Sequence, residues 1–232
     1  MAVAIITGAS KGLGRALALA LARRGWDLVL NARTPQVLER TAQDVRTHGR
    51  RVTALPGDVT DAAHRRDLVA AAGALGGLDL LVNNASVLGA QPLVRLDAHP
   101  LAGLRHALEV NVVAALGLVQ EALPLLRQAP AGTVIALSSE AAAEPFETWG
   151  GYGASKAALD QLAAVLAVEE PGLRVWAVDP GDMRTDLYRS AAPEEDEEGR
   201  PLPEQVVPAF LRLLDGRAPS GRYGAPALLE QR

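Results

Sequence analysis

The sequence predicts a single doubly wound α/β domain over residues 1–232, on three observations. Apolar runs of strand length alternate with segments of helix length. The runs are built of Val, Leu and Ile without polar alternation, the pattern of strands covered on both faces in a parallel sheet. A glycine-rich turn joins the first strand to the first helix, as in a nucleotide-binding βα unit.

The elements follow in order. Strand Val3–Thr7 leads into helix Gly14–Arg24, which Gly25 stops. Strand Asp27–Ala32 precedes helix Pro35–Thr47. Strand Arg51–Pro56 precedes helix Asp61–Leu75, stopped by Gly76–Gly77. Strand Leu78–Asn83 is followed by the long segment Leu101–Arg127. Strand Thr133–Ser138 precedes helix Tyr152–Val168, and Arg174–Asp179 is the sixth strand. No linker divides the chain and no repeat occurs. The one low-complexity stretch, Ala191–Pro203, contains the acidic run Glu194–Glu198.

Composition narrows the function. At 49% hydrophobic the chain can bury a substantial core, and a net charge of −4 gives no basic excess for nucleic acid or an anionic membrane. Cysteine is absent, so neither disulfides nor a thiolate metal site is expected, and no metal is predicted. The N-terminus lacks the pattern of a signal peptide, and no uninterrupted apolar run reaches the roughly 18 residues of a membrane span. A cytoplasmic location is the expectation. Only two of the 23 basic residues are lysine, Lys11 and Lys156. In so arginine-rich a chain, a retained lysine points to a role that arginine does not fill.

Residues 7–14 read Thr-Gly-Ala-Ser-Lys-Gly-Leu-Gly. Gly8, Gly12 and Gly14 permit a tight turn and let a pyrophosphate approach backbone N–H groups at a helix N-terminus. Asn83-Asn84-Ala85, Tyr152-x-x-x-Lys156 and Pro180-Gly181 follow in that order. Together these motifs resemble the short-chain dehydrogenase/reductase family over residues 3 to about 186. The resemblance implies a Rossmann fold, a nicotinamide cofactor and a small-molecule substrate. The second strand ends Asn31-Ala32-Arg33, with no carboxylate to receive an adenine-ribose 2′-hydroxyl. Arg33 and Lys11 stand where NADP-preferring members carry a cationic pair suited to a 2′-phosphate, so the cofactor is expected to be NADP(H). Ser10 and Leu13 join the glycine turn as expected cofactor contacts. By resemblance, Asp58 and Val59 flank the adenine, and the Asn84–Ala85 backbone lies beside the ribose and pyrophosphate.

Tyr152 and Lys156, four apart on a predicted helix, share one face. A neighbouring ammonium favours a phenolate, so Lys156 is expected to pull the Tyr152 pKa down and fit it for proton transfer. The resemblance also gives Lys156 a hold on the nicotinamide ribose. Ser139 lies thirteen residues before Tyr152, the family interval for a serine that hydrogen-bonds the substrate oxygen; its neighbour Ser138 lacks that spacing. Asn111 matches the family asparagine that kinks its helix and holds a water leading to Lys156. Pro180, Gly181, Met183 and Thr185 match the turn that holds the carboxamide.

Three departures stand out. Ser86 replaces the glycine after Asn-Asn-Ala, a variation associated with pteridine-reductase-like members. The substrate lid, about residues 187–203, carries the acidic run, expected as a solvated mobile loop, with repulsion of anionic substrates the rival idea. Ser220-Gly221-Arg222-Tyr223-Gly224 resembles only the start of the family's last strand region, and the Asp-Gly-Gly ending, which supports tetramer contacts, is absent. A homodimer through the helices Leu101–Arg127 and Tyr152–Val168 is therefore expected, ahead of a tetramer. The predicted activity is NADPH-dependent reduction of a ketone or aldehyde, with Tyr152 as proton donor. A pteridine- or enoyl-type reductase is the alternative, as is a catalytically silent NADPH-sensing protein, though the intact set Asn111, Ser139, Tyr152 and Lys156 argues against silence.

Overall fold

A computed structural model describes residues 1–230. Seven parallel strands make one sheet in the order β3-β2-β1-β4-β5-β6-β7. They are β1 (Val3–Ile6), β2 (Asp27–Ala32), β3 (Val52–Pro56), β4 (Leu80–Asn83), β5 (Thr133–Leu137), β6 (Arg174–Asp179) and β7 (Gly221–Gly224). The helices are α1 (Gly12–Arg23), α2 (Pro35–Arg46), α3 (Ala62–Leu75), α4 (Leu101–Leu108), α5 (Ala114–Leu126), α6 (Gly150–Glu169), α7 (Asp186–Ala191), α8 (Pro203–Gly216) and α9 (Ala225–Glu230). This is the doubly wound fold that the sequence predicts, with a seventh strand pairing β6 from Trp176↔Gly221 to Asp179↔Gly224.

Both faces of the central strands are dry because most of their successive residues are apolar. Ala4, Ile6, Leu28, Leu30 and Val178 point to one side, against α1, α2 and α8. Val3, Ile5, Val29, Val134 and Val175 point to the other, against α3, α5 and α6. Trp176 is 1% exposed, and its indole Nε1 donates to Ala218 O and Pro219 O, fastening the α8–β7 connection to the core. Truncating such a residue to Ala costs about 3–5 kcal/mol.

The long segment after β4 is helical but interrupted, as the expected kink at Asn111 requires. Residues Glu109–Val113 form a π-turn between α4 and α5, the distortion expected near Asn111. Taken as a whole, Leu101–Leu126 is long and apolar enough to cross a bilayer, which a search for uninterrupted apolar runs does not detect. In the fold its inner residues Ala114, Leu118, Ala122 and Leu126 are buried.

Candidate active site

Helices leave opposite faces of the sheet after β1 and β4, so a crevice opens at the carboxyl ends of these adjacent strands. A cleft of about 730 Å³ lies there, and most of the residues singled out from the sequence line it. Four do not. Gly14 packs behind the glycine turn, Ser139 and Gly181 line a smaller pocket beside the cleft, and Asn111 lines neither.

The glycine turn is a cradle that side chains would fill. Gly8 has φ +64°, and a Cβ there would stand 2.8 Å from Asn84 Nδ2. Asn84 Nδ2 donates to Thr7 O (2.8 Å) and Gly8 O (3.2 Å), while Thr7 Oγ1 accepts from the Asn84 and Ala85 N–H groups. This lacing fixes the turn against β4. Helix α1 then opens with no capping side chain and no acid in its first turn, leaving N–H groups and a positive helix end facing the cleft. A dinucleotide pyrophosphate fits that set.

At the adenine end, Asp58 Oδ1 accepts from the Thr60 N–H and hydroxyl, both at 2.9 Å, and these bonds hold its carboxyl below the usual range, with Arg33 assisting. Lys11 Nζ reaches Asp186 Oδ2 at 2.7 Å, bridging the glycine turn to the lid helix α7. Both partners are more than half exposed, so the pair stabilises little. Three supports had no motif to announce them. Arg65 Nη1 donates to Val59 O and Thr60 O, in space that Gly117 leaves free. The buried Asn31 donates to Gly57 O at 3.0 Å and touches His64 Nε2 at 2.8 Å. Rarity was the signal for Asn31: with Asn83, Asn84 and Asn111 it completes the four asparagines of the chain.

At the chemical end, Tyr152 and Lys156 are 6% and 2% exposed, with Lys156 Nζ 5.5 Å from the phenol ring centroid. Their titration differs from the sequence expectation. Burial pushes Tyr152 up to about 12, with Asp179 adding to the rise and Ser86 opposing it. Burial pushes Lys156 down to about 8, against the pull of Asp160. Burial sets the direction for the phenol, opposite to the lowering expected, and Lys156 Nζ donates one of its protons to Leu137 O (2.7 Å).

The two serines are told apart by their partners. Ser138 Oγ donates to Asp160 Oδ2 at 2.7 Å, so its proton is engaged. Ser139 Oγ accepts from Ala141 N at 3.2 Å and keeps its proton for the pocket. Arg222 of β7 clasps this loop, donating to Asp160 Oδ2 (3.0 Å) and Ser139 O (2.9 Å). Asn111 is 1% exposed and wholly engaged by protein: its Oδ1 accepts from Val87 N and Ser86 Oγ, and its Nδ2 donates to Val87 O and Ser155 Oγ. Its side chain therefore ties α6 to the Ser86–Val87 loop and makes no contact with Lys156.

Beyond β6, Met183 is nearly buried and the Thr185 hydroxyl caps α7, accepting from Tyr188 N at 3.2 Å. The acidic lid run is largely exposed, as expected of a solvated loop, but part of it is engaged. Glu197 pairs with Arg189 at 2.9 Å, Glu195 with Arg200 and the Tyr188 hydroxyl, and the Glu198 carbonyl with Arg184.

Fold and crevice define a dinucleotide-dependent oxidoreductase with an exchangeable-proton group, Tyr152, beside the nicotinamide end of the cleft. The chain belongs to the short-chain dehydrogenase family, whose family model matches residues 2–196. It is 35% identical to sepiapterin reductase of Rattus norvegicus over 202 residues, 82% of this chain and 77% of that protein. It is 31% identical to the rhamnolipids biosynthesis 3-oxoacyl-[acyl-carrier-protein] reductase of Pseudomonas aeruginosa over 232 residues, 97% of this chain and 84% of that protein. A short chain dehydrogenase of Shigella flexneri, solved in complex with NADP, superposes with a TM-score of 0.90 at 29% identity, covering 97% of both chains. The cofactor is NADP(H).

Proposed function

We propose that this protein reduces a small ketone or aldehyde at the expense of NADPH, with Tyr152 as the proton donor. The observation that carries the reading is the placement of Tyr152 and Lys156, both buried and side by side on α6 at the wall of the cleft, where burial favours the protonated phenol. A phenol held at about 12 keeps its proton at neutral pH, while a lysine at about 8 is still mostly charged. A proton donor and a cation side by side suit reduction, in which an alkoxide must be quenched. Bound NADPH supplies the hydride. Ser139 donates to the carbonyl oxygen and draws charge onto it. Tyr152 then gives its proton to that oxygen, and Lys156 stabilises the resulting phenolate until it is reprotonated. Lys11 and Arg33 would hold the 2′-phosphate, Arg33 as a planar guanidinium and Lys11 as a point charge.

A second reading, a pteridine-type reductase, is favoured by one feature. Ser86 lies in hydrogen-bond reach of Tyr152, and a relative of this chain is named sepiapterin reductase. Both readings are tested by following NADPH absorbance across a panel of ketones, aldehydes and pterins. Replacing Tyr152 with Phe should leave NADPH binding intact and lower kcat by about 10²–10⁴. Activity within a few-fold of wild type would move proton donation to another group.

A further inference from the structure

Beside Tyr152 a side pocket of about 80 Å³ opens between the β6–α7 turn and the lid. Its walls are Leu88, Leu187 and Ala191 with the rings of Trp149 and Tyr188, whose centroids are 6.1 Å apart. Tyr152 meets Trp149 edge to face at 5.8 Å, so one side of the pocket is aromatic up to the proton donor. The charged groups on its walls are all acids: Asp179, Asp182 and Glu140.

Asp179 is the unusual one. Its side chain is 13% exposed, and burial holds its pKa above the ordinary carboxylate value. Oδ1 accepts from Gly181 N at 3.0 Å. Oδ2 receives no hydrogen bond among the described residues, and its nearest cation, Arg222 Nη2, stands off at 3.8 Å. Arg222 is shared with Asp160, which it meets at 3.0 Å. Arg200 is likewise shared, 3.8 Å from Asp182 and paired more closely with Glu195. The arginines therefore leave the pocket with net negative character, and a desolvated carboxylate oxygen short of a donor gains from a ligand that brings one. Of the lid acids, Glu197 is paired with Arg189 and Glu195 with Arg200, whereas Asp179 and Asp182 stand on the β6–α7 turn at the pocket itself.

We infer that Asp179, with Asp182 at the rim, selects substrates: a flat, compact carbonyl compound carrying an N–H-rich cationic group such as an amidine, with carboxylate-bearing analogues rejected. This rests on the reading of Tyr152 as the donor to the substrate oxygen. The aromatic walls take the flat body, and the carboxylates take the N–H groups at the far end.

The test separates the subsite from the reaction. Calorimetry on the NADP⁺-loaded protein would compare benzamidine, benzamide and benzoate, and turnover with NADPH would compare their meta-acetyl derivatives. Benzamidine should bind about tenfold or more tighter than benzoate, as expected for one charge-assisted contact, with benzamide between them. Asp179→Asn should erase most of that spread. Asp182→Asn, at a 57% exposed side chain that folding tolerates, should narrow it in part. Benzoate binding as tightly as benzamidine, or the same spread in both variants, would overturn the inference. If the binding order holds and none of the acetyl compounds is reduced, the subsite stands and the carbonyl-reductase reading falls.

Discussion

Gly14→Ala sets two effects against each other inside one helix. By propensity alone the change should stabilise α1 by roughly 0.5–1 kcal/mol, because glycine loses more backbone entropy than alanine. The structure opposes this. A Cβ on Gly14 would lie 2.5 Å from Gly8 O and 2.6 Å from Asn84 Nδ2, and the first of these is backbone of the cofactor turn. To relieve it, α1 must lift from the turn, and overpacking of this kind costs about 1–3 kcal/mol. Asn84 must also give up part of its hold on Thr7 O and Gly8 O, at about 1 kcal/mol per bond. The contact wins, with a net loss of about 1–3 kcal/mol, or roughly 2–12 °C in Tm for a domain of this size. NADPH affinity should fall as well, since the same turn faces the pyrophosphate. Gly73→Ala is the internal control. It lies within α3, and its added Cβ would meet only Leu125 Cδ1 at an ordinary 3.8 Å, so it should gain about 0.5–1 kcal/mol. Urea unfolding followed by circular dichroism, with an NADPH titration, measures both variants. Gly14→Ala as stable as Gly73→Ala would refute the packing argument.

Arg33→Asp should cut the kcat/KM preference for NADPH over NADH by at least about tenfold, because the acid repels a 2′-phosphate and joins Asp58 at the same end of the cleft; an unchanged ratio in paired assays would remove Arg33 from phosphate recognition. The reductive kcat at saturating NADPH should fall as pH rises through about 8, where Lys156 loses its proton, while Tyr152 stays protonated to about 12. Lys156→Arg keeps its charge, so that inflection should vanish from its pH profile even if its kcat is lower. Folding stability responds with the opposite sign: the unfolded chain binds the Lys156 proton up to 10.5 and the folded chain only to about 8, so this group's contribution to stability increases as pH rises between those values, which urea midpoints report. Val113, Leu116, Val165 and Val168 leave apolar surface exposed on the π-turn, α5 and α6. A dimer through these helices is expected, and Val165→Lys with Val168→Lys should shift the light-scattering mass to the 24.3 kDa monomer; a wild-type mass already at that value would refute the dimer.

The sheet was legible because its strands are buried on both faces, so six runs of Val, Leu and Ile carried their own signal. Strand β7 has no apolar run: Gly-Arg-Tyr-Gly was legible only through its resemblance to the start of the family's last strand, and it is held in place by β6 and by Arg222. Helix α8, with Pro208 inside it, was not singled out either. Within the site, residues in short linear motifs were found, and residues that act across distant elements were not. The Arg222–Asp160 pair spans 62 positions, and its meaning depends on two strands and a helix converging on one loop. The direction of the Tyr152 shift was misjudged for a related reason. Spacing places Lys156 on the same face, but only the packed structure shows how deeply the phenol is buried, and burial sets the direction.

The π-turn at Glu109–Val113 makes this helix sensitive to length as well as to residue type. A π-turn holds one residue more than regular α-helix needs to cover the same rise. Deleting one residue there would restore regular winding with α4 and α5 close to their present relative rotation, so the cost falls on the turn itself. Gly103 and Ala107 on α4 now form the surface on which Gly89 rests, with Gly103 O only 2.9 Å from where a Gly89 Cβ would be. That surface would stay under the loop, while Asn111, which ties Ser86 and Val87 to α6, would be re-aimed or lost. A one-residue gap between residues 108 and 114 should therefore leave α4 seated and cost the Asn111 tie, and neither Asn111 nor Gly103 should tolerate exchange.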